Sequence, residues 1–132
     1  MQFELKIPFF GFESIKSMKL TKIDDFFMQL ENADGGKPAF TLINPFVLKA
    51  YEIEIPLSTK ALLEIDENSN VLIFNMVVIH KPLDQSTINF AAPLIFNADN
   101  QTMAQVILDG KAAQEHGIAE CIGNFMQQNN EN

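Results

Sequence analysis

Short strand-like segments separated by turn residues follow one another along this chain of 132 residues. In Tyr51–Ile55, aromatic and β-branched residues alternate with glutamates, and this period of two is typical of a strand with one face buried. A weaker alternation over Gln2–Ile7 predicts a similar strand at the start of the chain. Val71–Ile79 is almost entirely apolar, as expected of a strand that is covered on both faces. Polar clusters such as Asn32–Pro38 predict the turns between strands.

Seven or more such segments predict an all-β fold, an antiparallel barrel or sandwich-like single domain. One short helix is expected over Thr59–Ile65, with Ser58 as its cap. A C-terminal helix is also compatible with the sequence, because five apolar residues fall there at helical spacing. They are Ile118, Cys121, Ile122, Phe125 and Met126. We therefore expect a β domain over residues 1–118 and an extension over 119–132, with a short helix followed by a disordered Gln127–Asn132.

The chain is acidic, with 17 acidic and 9 basic residues and a formal net charge of −8. Such a surface repels phosphate, so we expect no direct binding of nucleic acid. It attracts basic proteins, although the charge could serve solubility alone. The 12 phenylalanines are more than a small core requires, which suggests that some line a partner-binding surface, although all of them could be core residues.

No arrangement of residues typical of catalysis is evident. The only histidines are His80 and His116, nothing local links either of them to a serine or to Cys121, and Cys121 fits a core position better than a nucleophile. Two histidines and one cysteine without close spacing make a poor zinc set. Glu52 and Glu54 form a carboxylate pair, but on a strand of period two they share the solvent face. We therefore expect a non-enzymatic protein without metal or cofactor.

The sequence also predicts where the protein works. A lone cysteine allows no internal disulfide, and neither a signal peptide nor a membrane span is recognisable. We expect a cytoplasmic protein that does not enter a membrane. A monomer is favoured because no coiled coil is evident.

Several elements, in this order, resemble the bacterial flagellar assembly factor FliW family. Ile7–Glu13 is similar to the L-P-G-F-E element of the family, with Phe10 as an additional residue. Ile43–Phe46 resembles its I-N-P-F element, and Tyr51–Ile55 its Y-E-x-E-[LI] strand. Thr87–Asn97 is similar to T-V-N-L-x-A-P-[IL]-x-x-N, and Gln105–Leu108 to Q-V-[VI]-L. The resemblance extends over residues 2 to 118, and the tail runs past the point where many family members end.

The resemblance implies a switch between two partners. Proteins of this family bind the translational repressor CsrA, which relieves repression of flagellin mRNA, and they also bind cytoplasmic flagellin in a chaperone-like manner. Such a protein needs an acidic face for a basic RNA-binding protein and an apolar region for an amphipathic helix of flagellin. The main alternative is a small β-barrel that binds nucleic acid or saccharide, but arginine is absent and the aromatic residues occur beside acids.

Partner-binding residues are expected in the elements that resemble the family and in the exposed acids. The candidates are Asn44, Pro45, Phe46, Glu52, Glu54, Asn89, Ala92 and Pro93. Residues in loops are less constrained by packing, which favours a role in recognition. The same residues also fit a structural role, since Asn-Pro and Ala-Pro pairs are common at turns and strand edges.

Overall fold

The computed structural model describes residues 1–110 and 117–125, and within these ranges the chain forms one sheet of nine strands. The strands are β1 (Gln2–Leu5), β2 (Ser17–Lys22), β3 (Phe27–Asn32), β4 (Ala39–Ile43), β5 (Val71–Val78), β6 (Thr87–Ile88), β7 (Leu94–Asn97), β8 (Thr102–Gln105) and β9 (Glu120–Cys121). Helix α1 spans Leu57–Leu62, and 3₁₀ turns lie at Pro45–Val47 and Leu83–Gln85. The predicted all-β barrel with a short helix is confirmed.

Seven strands close the barrel in the order β4-β3-β2-β1-β8-β7-β5, and pairing of β4 with β5 completes the ring. All of these pairs are antiparallel except β1 with β8, where Glu4 lies opposite Thr102. A ring with an odd number of strands cannot alternate direction at every step, so one parallel pair is unavoidable. The barrel is therefore mixed, with six antiparallel pairs and one parallel pair.

Every strand of the ring contributes to the apolar interior of the barrel. The buried residues there are Phe3, Leu5, Phe9, Met18, Leu20, Leu30, Leu42, Phe74, Leu94, Phe96 and Met103. A second cluster, containing Leu63, Val106 and Leu108, packs against the outside of β7 and β8. A third cluster contains Tyr51, Phe90 and Ile122. These outer clusters hold the non-strand segments that form the candidate binding surfaces.

Two helical expectations need correction. Helix α1 begins at Leu57, directly after Pro56, and ends at Leu62, earlier than the expected Ile65. Proline has no N–H to lose and fixes the backbone before a helix, so Pro56 and not Ser58 sets the start. Pro56 is the N-cap residue of α1, and no side chain makes a capping hydrogen bond there.

The C-terminal segment also differs from the expectation. Glu120–Cys121 is strand β9, paired with β6, and the described part of this C-terminal segment is helical only at 123–125. Ile122 is buried because it follows a strand that packs on the barrel, not because it lies on a helix face. Met126 and the tail that was expected to be disordered lie outside the described residues. None of the helices in the described ranges has the length and apolarity needed to cross a bilayer.

Candidate protein-binding surfaces

A buried polar group of side chains positions several of the candidate residues. Strand β5 pairs with β7 up to Phe74 and with β6 from Val77, and Asn75 lies between the two pairings. The Asn75 amide is fully buried and donates to the Asn89 carbonyl at 2.9 Å and to the Tyr51 hydroxyl at 3.3 Å. The Tyr51 hydroxyl donates in turn to the Phe90 carbonyl. These bonds tie the Tyr51 segment and the loop after β6 to the barrel wall.

The same surroundings set the ionisation of Tyr51. Burial raises the pKa of its phenol above 10.0, and the hydrogen bond from Asn75 opposes part of that rise. The Tyr51 ring packs against Phe46 and Phe90, with ring centroids 6.1 and 5.5 Å apart. At neutral pH the hydroxyl is therefore an uncharged donor within an aromatic cluster.

In the Asn44–Phe46 element, one residue is accessible and two have local structural roles. The Asn44 side chain accepts a hydrogen bond from the Phe46 N–H at 3.0 Å, which caps the 3₁₀ turn. Pro45 is buried in the first position of that turn. Phe46 is 53% exposed, so it is the member of this element that a partner can touch.

The Asn89–Pro93 element is more deeply placed. The Asn89 side chain accepts from the Ala91 N–H at 3.1 Å and shapes the bend after β6. Ala92 and Pro93 are buried, and their carbonyls accept hydrogen bonds from Gln105 Nε2 and from the Val106 N–H, at 3.2 and 2.9 Å. Ala92 and Pro93 therefore hold the loop in place from its buried side, and their side chains do not reach solvent.

Tyr51–Ile55 was predicted as a strand, and the structure shows an extended segment outside any ladder. The alternation itself is real, because Tyr51 is buried while Glu52 and Glu54 are exposed. A period of two in the sequence reports which side chains face the core, and it does not require a hydrogen-bonded neighbour. The two carboxylates therefore lie on the solvent side, as expected.

An apolar groove lies beside the 3₁₀ turn that carries Phe46. Its volume is about 210 Å³, and its walls are Phe26, Phe27, Ile43, Val47, Leu48, Leu83 and Ile122. Phe26 is 54% exposed, and Asp24 holds its turn by accepting the N–H groups of Phe26 and Phe27 at 2.8 Å. The sequence offered only a weak signal for this groove, namely an exposed phenylalanine directly after two aspartates.

A second groove, which we call the acidic groove, lies between two extended segments. Its volume is about 420 Å³, and its walls are Glu54, Ile55, Pro56 and Leu57 on one side and Ile107, Leu108 and Asp109 on the other. Leu57 and Ile107 are 81% and 71% exposed. Glu54 and Asp109 place carboxylates in opposite walls, whereas no lysine lines the groove among the described residues.

Of the sequence candidates, Phe46 and Glu54 thus mark two separate surfaces, Phe46 beside the apolar groove and Glu54 in the acidic groove. Within residues 1–110 and 117–125, no three histidine, cysteine, aspartate or glutamate side chains are grouped as a metal site would require. The accessible chemistry of these surfaces is apolar contact and negative charge.

Comparison with known proteins agrees with the sequence elements described above. The FliW protein family profile matches residues 1–118. Flagellar assembly factor FliW 2 of Wolinella succinogenes is 52% identical over 125 residues, which cover 95% of this chain and 92% of that protein. The chain belongs to the FliW family. Flagellar assembly factor FliW of Sulfurimonas denitrificans is 44% identical over 128 residues, covering 97% of this chain and 100% of that protein.

A solved FliW fold also matches this structure. The crystal structure of the flagellar assembly factor FliW superposes with a TM-score of 0.83 over 92% of this chain and 84% of that chain. Sequence identity in that alignment is 24%, so the match establishes the barrel fold and not the partners. The mixed seven-stranded barrel is therefore the FliW fold.

Proposed function

We propose that the chain is a non-enzymatic flagellar assembly factor that binds CsrA and flagellin alternately in the cytoplasm. Membership of the FliW family supports the role in flagellar assembly, since the relatives described above carry that name. While flagellin is scarce, the protein holds CsrA and flagellin mRNA is translated. When flagellin accumulates, it takes the protein and releases CsrA. We propose that the protein acts as a monomer.

The apolar groove is the observation that carries the flagellin half of this proposal. An amphipathic helix binds by placing its apolar face in a hydrophobic groove, with side chains at helical spacing as anchors. The exposed parts of Phe26, Val47 and Leu83 form such a groove, and Phe46 lies next to it on the 3₁₀ turn. Burial of these side chains by a partner helix would remove apolar surface that the monomer leaves in water.

The acidic side supports the CsrA half. Glu52 and Glu54 are exposed on one extended segment, in a chain whose net charge is −8. Complementary charge speeds the encounter with a basic protein and fixes its orientation. Glu54 lies in the acidic groove and Phe46 beside the apolar groove, so we propose that the main contacts of CsrA and flagellin differ, while the two bound proteins overlap and therefore exclude each other.

The first test is calorimetric titration of the purified protein with CsrA and with flagellin. We expect saturable binding of each, and displacement of CsrA when flagellin is added. Failure to bind either protein would contradict the proposal and favour the alternative of a small β-barrel that binds nucleic acid or saccharide.

Two variants test the assignment of the apolar groove. Phe26→Asp places a charge in the groove, and we expect flagellin affinity to fall by about tenfold or more, as for loss of an interface hot spot. Phe10→Asp makes the same change at a loop position that is 98% exposed and outside the groove, so it should leave flagellin binding unchanged. Equal affinity of both variants for flagellin would show that the helix binds elsewhere.

A further inference from the structure

The segment after β8 forms strand-like hydrogen bonds along one side only. The Val106 and Leu108 N–H groups donate to the Pro93 and Ala91 carbonyls at 2.9 and 2.8 Å. Along an extended chain the direction of the backbone groups alternates, so the N–H and C=O of Ile107 point away from this loop. No described residue forms a hydrogen bond with them. The Ile107 side chain is also exposed, which leaves an open strand edge at this residue.

The opposite wall of the acidic groove is a second extended segment without pairing. Ile53 and Ile55 pack against the buried cluster that contains Val106 and Leu108, so one core holds both walls in place. The backbone groups of Ile53, Glu54 and Ile55 form no hydrogen bond with any described residue. A buried or half-buried backbone group without a partner is uncommon, because folded chains pair most of them or leave them to water. The groove thus has unpaired backbone along both walls.

Charge selects what can enter. Glu54 and Asp109 lie in the two walls, beside the exposed apolar side chains of Leu57 and Ile107. An incoming strand with alternating basic and apolar residues would place positive charge beside these two carboxylates and apolar side chains beside Leu57 and Ile107. A second copy of this chain, paired through the same edge, would bring its own glutamates against these carboxylates. Acidic residues on an open edge are a known protection against such self-pairing.

We propose that the acidic groove binds an extended segment of a partner protein that carries lysine or arginine, by addition of a strand. The main chain of that segment pairs with the outward N–H and C=O of Ile107, and its basic side chains lie beside Glu54 and Asp109. This mode obtains its affinity from main-chain hydrogen bonds and its selectivity from side chains. It rests on the proposed function only in assigning a basic protein to the acidic side of the molecule.

The test uses the whole protein, labelled with ¹⁵N, and a synthetic peptide of about six alternating lysine and valine residues, a usual strand length. We expect chemical-shift changes at the amides of Ile107 and of residues 53–55, which border the groove, and slower hydrogen exchange at the Ile107 amide, which pairs with the peptide. The matched control is the same peptide with alternate backbone nitrogens methylated, which keeps the charge and removes donors. It should bind about five- to tenfold more weakly, as expected from the loss of the main-chain hydrogen bond to the Ile107 carbonyl.

A variant of the protein tests the same bonds from the other side. Ile107→Pro removes the outward N–H and breaks no hydrogen bond within the described chain, whereas Ile107→Ala keeps the N–H and shortens the side chain. We expect about tenfold weaker peptide binding for Ile107→Pro and a smaller loss for Ile107→Ala. Asp109→Lys, which alters no backbone group, should also weaken binding of the lysine peptide and keeps the test valid if the proline variant does not fold.

Three results would overturn the proposal: no binding of the lysine peptide, shift changes confined to other parts of the barrel, or equal binding of the methylated peptide. None of these depends on the titrations with CsrA and flagellin. Failure of the peptide with intact CsrA binding would therefore reject strand addition alone, whereas peptide binding without CsrA binding would reject the proposed partner alone.

Discussion

Asn75 shows how one polar residue can organise a surface from inside the barrel. It interrupts the most apolar segment of the sequence, and there it lies at the point where β5 exchanges one neighbour for another. The hydrogen bonds from its side-chain amide to the Asn89 carbonyl and the Tyr51 hydroxyl stand in place of strand-to-strand hydrogen bonds where β5 changes its neighbour from β7 to β6. The chain has a single tyrosine, so this position can be observed without interference.

Removal of the Tyr51 hydroxyl should destabilise the protein. In Tyr51→Phe, the buried Phe90 carbonyl loses its donor, and we expect the free energy of unfolding to fall by about 1–3 kcal/mol at neutral pH. Urea unfolding of the variant and of the unchanged protein measures this difference. An equal free energy of unfolding would mean that the carbonyl finds another donor. Phe10→Leu, a change at an exposed position, should alter stability by less than about 0.5 kcal/mol.

The stabilising effect of this hydroxyl should depend on pH in one direction. The folded-state pKa of Tyr51 is raised above the unfolded value of about 10, so the folded protein keeps the phenol proton to higher pH. This contribution is fully present below about pH 10 and is lost as the pH rises through the folded-state pKa. The absorbance of tyrosinate, which reports Tyr51 alone, should therefore rise with a midpoint at higher pH in the folded protein than in urea. Identical midpoints would contradict the burial of the phenol.

At the scale of elements, the sequence predicts what local patterns encode. The apolar strand β5 and the turn at Asn32–Pro38 follow from composition and turn residues, and both are confirmed, the turn as the connection between the paired strands β3 and β4. Tyr51–Ile55 was predicted as a strand because its alternation reports burial, but ladder pairing depends on a neighbour that no local pattern specifies. Pro56 similarly moved the start of α1.

The candidate surfaces were harder to predict, for a related reason. The apolar groove takes its walls from the start of β3, the 3₁₀ turn after β4, the loop before β6 and the segment after β9. These parts of the chain meet only when the barrel closes and β9 pairs with β6. Phe46 was predictable because it belongs to a family-like element, whereas Phe26 and Ile122 have no such local context.

The segment after β9 should contribute to stability. Ile122 is buried in the cluster that contains Tyr51 and Phe90, so Ile122→Ala should lower the free energy of unfolding by about 2–5 kcal/mol. Ile118→Ala removes the same atoms at an exposed position and should change it by less than about 0.5 kcal/mol. Chemical denaturation of both variants is the measurement. If the two variants were equally stable, the segment from residue 119 would act as a separate extension and not as part of the barrel.

At the scale of the whole molecule, charge is unevenly placed along the chain. Four of the nine basic residues lie in or beside β1 and β2: Lys6, Lys16, Lys19 and Lys22. The acids Glu54 and Asp109, in contrast, border the acidic groove between segments 54–57 and 107–109. Lys49 is engaged internally, with its ammonium 4.2 Å from the centre of the Phe90 ring and 3.6 Å from a Glu120 carboxylate oxygen. The acidic groove therefore presents a local negative field in addition to the net charge of −8.

This local field, and not net charge alone, should govern association with CsrA. Glu54→Lys reverses a charge in the groove wall, and Asp34→Lys makes the same change in net charge at an exposed turn between β3 and β4. We expect the association rate constant to fall by about tenfold for Glu54→Lys at low ionic strength and much less for Asp34→Lys. The difference should shrink at about 1 M salt, where charges are screened beyond about 3 Å. Stopped-flow measurements at both salt concentrations distinguish the two cases, because equal slowing by the two variants would mean that CsrA responds only to the total charge.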